Sequence, residues 1–397
     1  MSSLKIYLAV VVCTLTTPVY AEWSLEQARQ AAFVRDAQLQ WYQREQAIVA
    51  AKSMFAGQPD NPTISTNLEN FGNSQLKQLD GPSLSVQYSQ TWTRPTTLAL
   101  RQQLADRAEQ QRQLQIRQRQ AEVSAEVRLC LAEWTAAYQQ QQLLNEDLQV
   151  AQRQTKYTQE RLRAGRTIES EYQRLAALEV EAQSLLTLQH SVVEYQKASC
   201  TLLMGELPET PPNLPLILES LPEVSLAQEL AVFEQHTRQQ QAALVQAEKK
   251  PDLTWSVGVK SFTQTGDAAL MFGASVPLQR IDHHQVLRVE ADQQLQYAQQ
   301  QIPRQQQLSI HQLRQVQGEY HHLQNLLGVL DQQVIPSSTQ SLQIAQRAYQ
   351  AGKIDLLAWL EIRRGWREAQ ERRIQTQLKI HRVIANLERQ FDTLNVH

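Results

Sequence analysis

From Thr96 to Met204 the chain contains no proline and a single glycine, Gly165. Apolar residues recur through this stretch at helical spacing, as in Val127, Leu131, Trp134 and Tyr138, or Leu175, Leu178, Ala182 and Leu185. The pattern predicts one helix over 96–163, a tip at Gly165, and a return helix over 167–204. Sixty-eight residues at ~1.5 Å each give a rod ~100 Å long. No ordinary domain is that wide, so the rod must bury its apolar stripe against other rods.

The same plan occurs twice. "RLRAGRTIESEYQRLAALEVEAQ" begins at Arg161 and "AYQAGKIDLLAWLEIRRGWREAQ" at Ala348. Gly165 and Gly352 lie 187 residues apart (352 − 165), as do Gln183 and Gln370. In each, glycine supplies the left-handed conformation that ends the descending rod. The second half is expected to run as a long helix over 282–350, a tip at Gly352, and a return helix over 354–391. Pro303 and Pro336 should kink this rod or break it locally. "SLEQ" from Ser24 and "SLAQ" from Ser225 both fit capping boxes that open a helix in each half. The predicted repeats are therefore 22–206 and 225–397. The proline-rich segment at 207–224 joins them as an extended connector.

Ahead of each long rod the hydrophobic period changes to two. "PTISTNLENF" and "SLSVQYSQTW" form one expected hairpin within 62–92, with Gly72 to Gly81 as its turn. "LTWSVGVKSF" and the run from Leu270 to Leu278 form another within 253–278, with Thr263 to Asp267 as its turn. Leu84, Val86, Tyr88, Leu253, Trp255 and Val257 fall on one face of their strands. Ser85, Gln87 and Ser256 fall on the other. Runs of about ten residues with one apolar face suit tilted membrane strands around a wet interior. Four strands cannot close a barrel, and an open edge does not survive in lipid, so closure requires other subunits. Three chains would give twelve strands and twelve rods. A soluble coiled-coil scaffold, with short strands packed on its own rods, is the competing reading.

Residues 1–21 read as an export signal: Lys5, an apolar core from Ile6 to Leu15, and a small-residue site at Val19-Tyr20-Ala21. Cys13 follows Val12 rather than a small residue, which argues against lipidation. Formal net charge is −2, which gives no electrostatic case for nucleic acid. No later apolar run approaches the ~18 residues of a membrane helix. The sequence shows no nucleophile constellation, phosphate loop or paired catalytic carboxylates, so catalysis is not expected. His283-His284 and His321-His322 are adjacent pairs that diverge by ~100° on a helix, so no metal site is expected from them.

At the tips, Glu169, Glu171 and Asp355 lie just after the turning glycines. They suit either helix capping or carboxylate rings formed by several chains. Arg161, Arg163, Arg166 and Lys353 are the candidate cationic partners. Cys130 and Cys200 each lie 35 residues from Gly165, on opposite sides of it. If the rods pair without slippage, both cysteines sit ~50 Å above the tip. There they either form a disulfide or remain two buried thiols on different faces.

Over the whole length after residue 21, the chain resembles the TolC-like outer membrane efflux proteins. The resemblance rests on "SLEQARQAA", "GPSLSVQYSQTWT", "KKPDLTWSVGVKSF", "ASVPLQRIDHHQ", "RLRAGR" and the second tip motif. It looks closest to the heavy-metal branch serving cobalt-zinc-cadmium or copper-silver type pumps. That branch tends to carry Trp-Pro-Gly-Lys-Arg where this chain has "TWTRPTT", and Asp-Arg-Asn where it has Asp282-His283-His284.

The resemblance implies a mainly α chain with a small β part, forming a homotrimer. A twelve-stranded outer membrane barrel would continue into a periplasmic tunnel. Leu162 and Tyr349 join the tip residues named above as gate and docking positions. A periplasmic adaptor and an inner-membrane proton-driven pump would be the partners, with outer membrane lipid around the barrel. No cofactor is implied. Heavy-metal cations would be the cargo, and a secretion duct for whole proteins remains an alternative within the family.

Overall fold

The computed structural model describes residues 23–70, 82–217, 224–263, 265–277 and 283–391. The export signal, the turn residues 71–81, the end of the connector at 218–223 and Leu278 to Asp282 lie outside these residues.

Each half opens on a capped helix. Ser24 accepts from the backbone N–H of Gln27 and Gln27 reaches back to Ser24, a complete capping box on α1 (Leu25–Arg35). Where a single helix is the simplest reading of the first half, the structure breaks it at Asp36. The Asp36 carboxylate caps Leu39 at 2.7 Å and starts α2 (Ala37–Ala56). Arg119 holds Asp36 from the long rod at 2.8 Å, and the carboxyl pKa sits below its ordinary value; burial alone would raise it, but the bonds from Arg119 and Leu39 prevail. In the second half, α5 (Leu226–Glu248) is unbroken, with Ser225 capping Gln228 at 3.2 Å.

The rods are α3 (Pro95–Arg163) and α4 (Glu169–Met204) in the first half. In the second they are α6 (His283–Val329), α7 (Ile335–Gln350) and α8 (Leu356–Gln390). At 69 residues, α3 is about 100 Å long. The helix continues through Pro303. The interruption lies ahead of Pro336, where Leu330–Val334 forms a π turn. Pro336 lacks an N–H and its ring crowds the carbonyl of residue 332, so the wider turn accommodates it.

Packing follows the apolar stripes. Val123, Val127, Leu131 and Trp134 of α3 bury against α1 and α4. Tyr320 and Leu323 of α6 bury against Ile380, Ile384 and Leu387 of α8. The α3–α8 seam joins the halves and carries charge. Arg128 and Arg29 converge on Glu388 at 2.8 and 2.5 Å, all three nearly buried. Lower down, Arg363 reaches Asp147 at 2.7 Å and Arg367 lies at 3.6 Å.

Strands β1 (Thr63–Glu69), β2 (Ser83–Trp92), β3 (Leu253–Phe262) and β4 (Ala268–Ser275) form one antiparallel sheet in the order β1-β2-β3-β4. The fourth strand starts at Ala268, two residues before the expected Leu270, and ends before Val276. Pairing of β2 with β3 unites the hairpins of the two halves, leaving an outer edge on β1 and on β4.

Candidate functional site

Register places mostly apolar residues on one side of the sheet and mostly small or polar ones on the other. Ile64, Tyr88, Val257 and Phe272 form one cross-strand row, and Thr66, Val86, Val259 and Leu270 the next. This face points away from the protein: Leu84, Val86, Tyr88, Leu253 and Trp255 are exposed, Val257 is half-buried, and Phe272 is 79% exposed. The Tyr88 and Trp255 rings lie tilted against each other with centroids 5.6 Å apart, and Trp92 is exposed at the strand end. From Leu84 to Trp92 the band runs about 26 Å along the strand. The opposite face carries Ser83, Ser85, Gln87, Ser89, Ser256, Gly258 and Gly273. Lys260 reaches across it to Glu69 at 2.6 Å. A side chain at Gly258 would meet the Val86 carbonyl 2.7 Å away, so glycine permits the close β2–β3 approach.

At the far end of the rods the two tips are built alike. The Gly165 N–H donates to the Leu162 carbonyl at 2.9 Å, and the Arg166 N–H to Arg161 at 2.8 Å. The Gly352 N–H donates to Tyr349 at 2.9 Å, and the Lys353 N–H to Ala348 at 2.8 Å. This paired arrangement satisfies the last carbonyls of a helix and needs a left-handed residue; φ is +65° at Gly165 and +71° at Gly352.

Past the glycines the tips diverge. Asp355 caps α8 through the Ala358 N–H at 2.9 Å, whereas Ile168 gives α4 no side-chain cap. Glu169 accepts from Gln173 at 2.7 Å and Glu171 from Thr167. Among the described residues, no ion pair joins Glu169, Glu171 or Asp355 to Arg161, Arg163, Arg166 or Lys353. Arg161 instead donates to the Arg166 carbonyl at 3.0 Å and lies over the Tyr157 ring. Leu162 is half-buried, while Tyr349 is buried against Trp359, Val150 and Leu175. That burial raises the Tyr349 pKa. The Tyr157 hydroxyl donates to the Gln350 carbonyl at 2.6 Å, tying the first rod to the second tip.

Cys130 and Cys200 are joined by a disulfide with Cα atoms 5.6 Å apart. It crosses from α3 to α4 and fixes their antiparallel register. Among the described residues, no three His, Cys, Asp or Glu side chains converge to hold a metal ion. His321 and His322 are exposed, and the side chain of His283 lies outside the described residues.

The buried ion pairs escaped sequence reasoning. Asp147 stands between Leu144 and Leu148 on an otherwise apolar stripe. A carboxylate there signals a buried partner, but the sequence does not say which arginine supplies it. Arg363, 216 residues away (363 − 147), does so. Burial pulls the Arg363 pKa below its ordinary value, and the facing Asp147 opposes that shift.

No family model and no curated protein matches this chain. Its fold is shared with solved outer membrane proteins. A membrane protein from Pseudomonas aeruginosa superposes with a TM-score of 0.77 at 15% identity, covering 94% of this chain and 92% of the other. The outer membrane protein VceC from Vibrio cholerae gives 0.76 at 16% identity, covering 92% and 94%. CusC, a protein described as undergoing transmembrane channel formation, gives 0.75 at 13% identity, covering 93% and 92%.

Proposed function

We propose that this chain is a TolC-like outer membrane channel subunit, the passive exit duct of a tripartite efflux pump. The observation that carries the proposal is a sheet apolar on its exposed face, polar on the other, and open at both edges. Such a sheet is stable in lipid only when its edges are paired. Three chains pairing β1 with the next β4 would close twelve strands around the polar face. The rods of the same three chains would continue the lumen as a tunnel through the periplasm. No bond is made or broken in the cargo. Work is supplied by an inner-membrane proton-driven pump through an adaptor that meets the helical tips. The tip residues Leu162, Gly165, Tyr349, Gly352, Glu169, Asp355, Arg161, Arg163 and Lys353 are the proposed gate and docking positions.

The finer reading, with heavy-metal cations as cargo, rests on the overall resemblance to the metal-exporting branch, from which the chain departs at "TWTRPTT" and at Asp282-His283-His284. Two measurements test these readings separately. Purified protein in a planar lipid bilayer should give unitary ion currents; a preparation that never conducts contradicts the duct. Cells lacking the gene should become sensitive to particular divalent or monovalent metal ions. Sensitivity to organic toxicants alone would retain the duct and overturn the cargo.

A further inference from the structure

A cavity of about 460 Å³ lies at the foot of the second hairpin, lined by Val245, Gln246, Lys249, His284, Gln285 and Arg288. It sits where α5 gives way to β3 and where α6 begins. Lys249 and Lys250 have no ion-pair partner among the described residues. Arg288 has only an exposed contact with Asp292 at 3.7 Å. The groove therefore presents cationic side chains without matching carboxylates at its wall.

Its position relative to the sheet gives this charge a meaning. Trp92 pairs with Leu253, the first residue of β3, and Trp255 lies one step further along the apolar face. Exposed tryptophans at the end of an apolar band mark the boundary between hydrocarbon and headgroups. Lys249 closes α5 in a helical conformation and Lys250 follows in a bend, so both lie within about 13 Å of Leu253, just outside that boundary. Arg94, two residues beyond Trp92, is committed to the backbone carbonyls of Ala247 and Lys250 and so holds this junction in shape.

We infer that the α5–α6 groove is a binding site for the phosphate of an anionic phospholipid in the periplasmic leaflet, held by Lys249 and Arg288. The inference rests on the membrane-barrel reading above. A zwitterionic lipid offers the same phosphate but adds a cation that Lys249 and Arg288 repel, so the site favours phosphatidylglycerol over phosphatidylethanolamine. Bound lipid anchors the barrel vertically, at the point where the rods leave the membrane.

The test is native mass spectrometry of the full-length protein released from nanodiscs of phosphatidylethanolamine alone or mixed with phosphatidylglycerol. Retention of phosphatidylglycerol, up to one per chain, is expected. The double variant Lys249→Gln/Arg288→Gln should keep its assembly state and lose retention about tenfold or more, since each cation beside an anionic surface is worth roughly fivefold in affinity. Equal retention of both lipids, or unchanged retention in the double variant, overturns the site. Inorganic phosphate at millimolar concentration should not displace the lipid; displacement would show a free-anion site instead. Protein that never enters nanodiscs overturns the barrel reading itself, an outcome distinct from entry without lipid selectivity.

Discussion

Cys130 and Cys200, each 35 residues from Gly165, are covalently joined across the first hairpin with 5.6 Å between their Cα atoms. The bond fixes α3 against α4 in one register. Neither cysteine should react with maleimide in denatured, unreduced protein, and a single disulfide-linked peptide should appear on digestion. Substituting both with serine should cost about 2–4 kcal/mol, measured by denaturant unfolding, because a 70-residue separation leaves the unfolded chain much freer.

The sheet gives a sharper contrast between neighbours. Val86 projects from the exposed apolar face and Ser85 from the buried polar one. Arginine at Val86 should destabilise the barrel by about 2–4 kcal/mol at mid-membrane depth. Arginine at Ser85 enters the lumen and should be mild. Refolding titrations into lipid vesicles would measure both, and equal costs would contradict the assignment of faces.

At the tips, valine at Gly165 or Gly352 must adopt a positive φ that costs about 1–2 kcal/mol. A Cβ at either position would meet no atom beyond its chain neighbours within 4 Å, so the effect is confined to the turn. Export should fall while the barrel still assembles, as read by a toxicant efflux assay and by resistance of the assembly to dissociation.

Asp147 is 1% exposed at its side chain and faces Arg363. Replacing Asp147 with alanine strands a buried guanidinium and should cost about 3–5 kcal/mol. Replacing both Asp147 and Arg363 with leucine should recover most of that loss, because the two desolvation costs disappear together. A double-mutant cycle by thermal unfolding checks this.

His381 is buried beside Arg128, and burial first, then that guanidinium, lower its pKa to about 4 from the ordinary 6.5. Above pH 6.5 the ring is neutral whether the chain is folded or unfolded, and folding carries no proton cost. As pH falls from 6.5 to about 4 the unfolded chain takes up a proton that the folded chain refuses. Stability should therefore decline across that window, by roughly 3 kcal/mol in all. A His381→Gln variant should show a flatter profile over the same range.

How much of the fold is legible in the sequence varies with the range of the interaction. The first tip could be read because Gly165 is the lone glycine of its rods, the second because it repeats the same motif, and the strands because a period of two differs from 3.6. The Asp36 break could not, because helical residues flank it and only the carboxylate's bond to Leu39 marks it. The π turn leaves no signature beyond Pro336, which does not by itself say that the adjustment falls on the residues ahead of it. The Asp147–Arg363 and Arg128–Glu388 pairs needed the α3–α8 alignment, which depends on the packing of the two halves.

The most direct test of three-chain closure is the native mass of the protein extracted by detergent from the outer membrane fraction of its cells. The chain should sediment with that membrane and leave it as an assembly of three copies. Recovery from the soluble periplasmic fraction as a single chain would contradict it, because the apolar face and both sheet edges would then be stable in water.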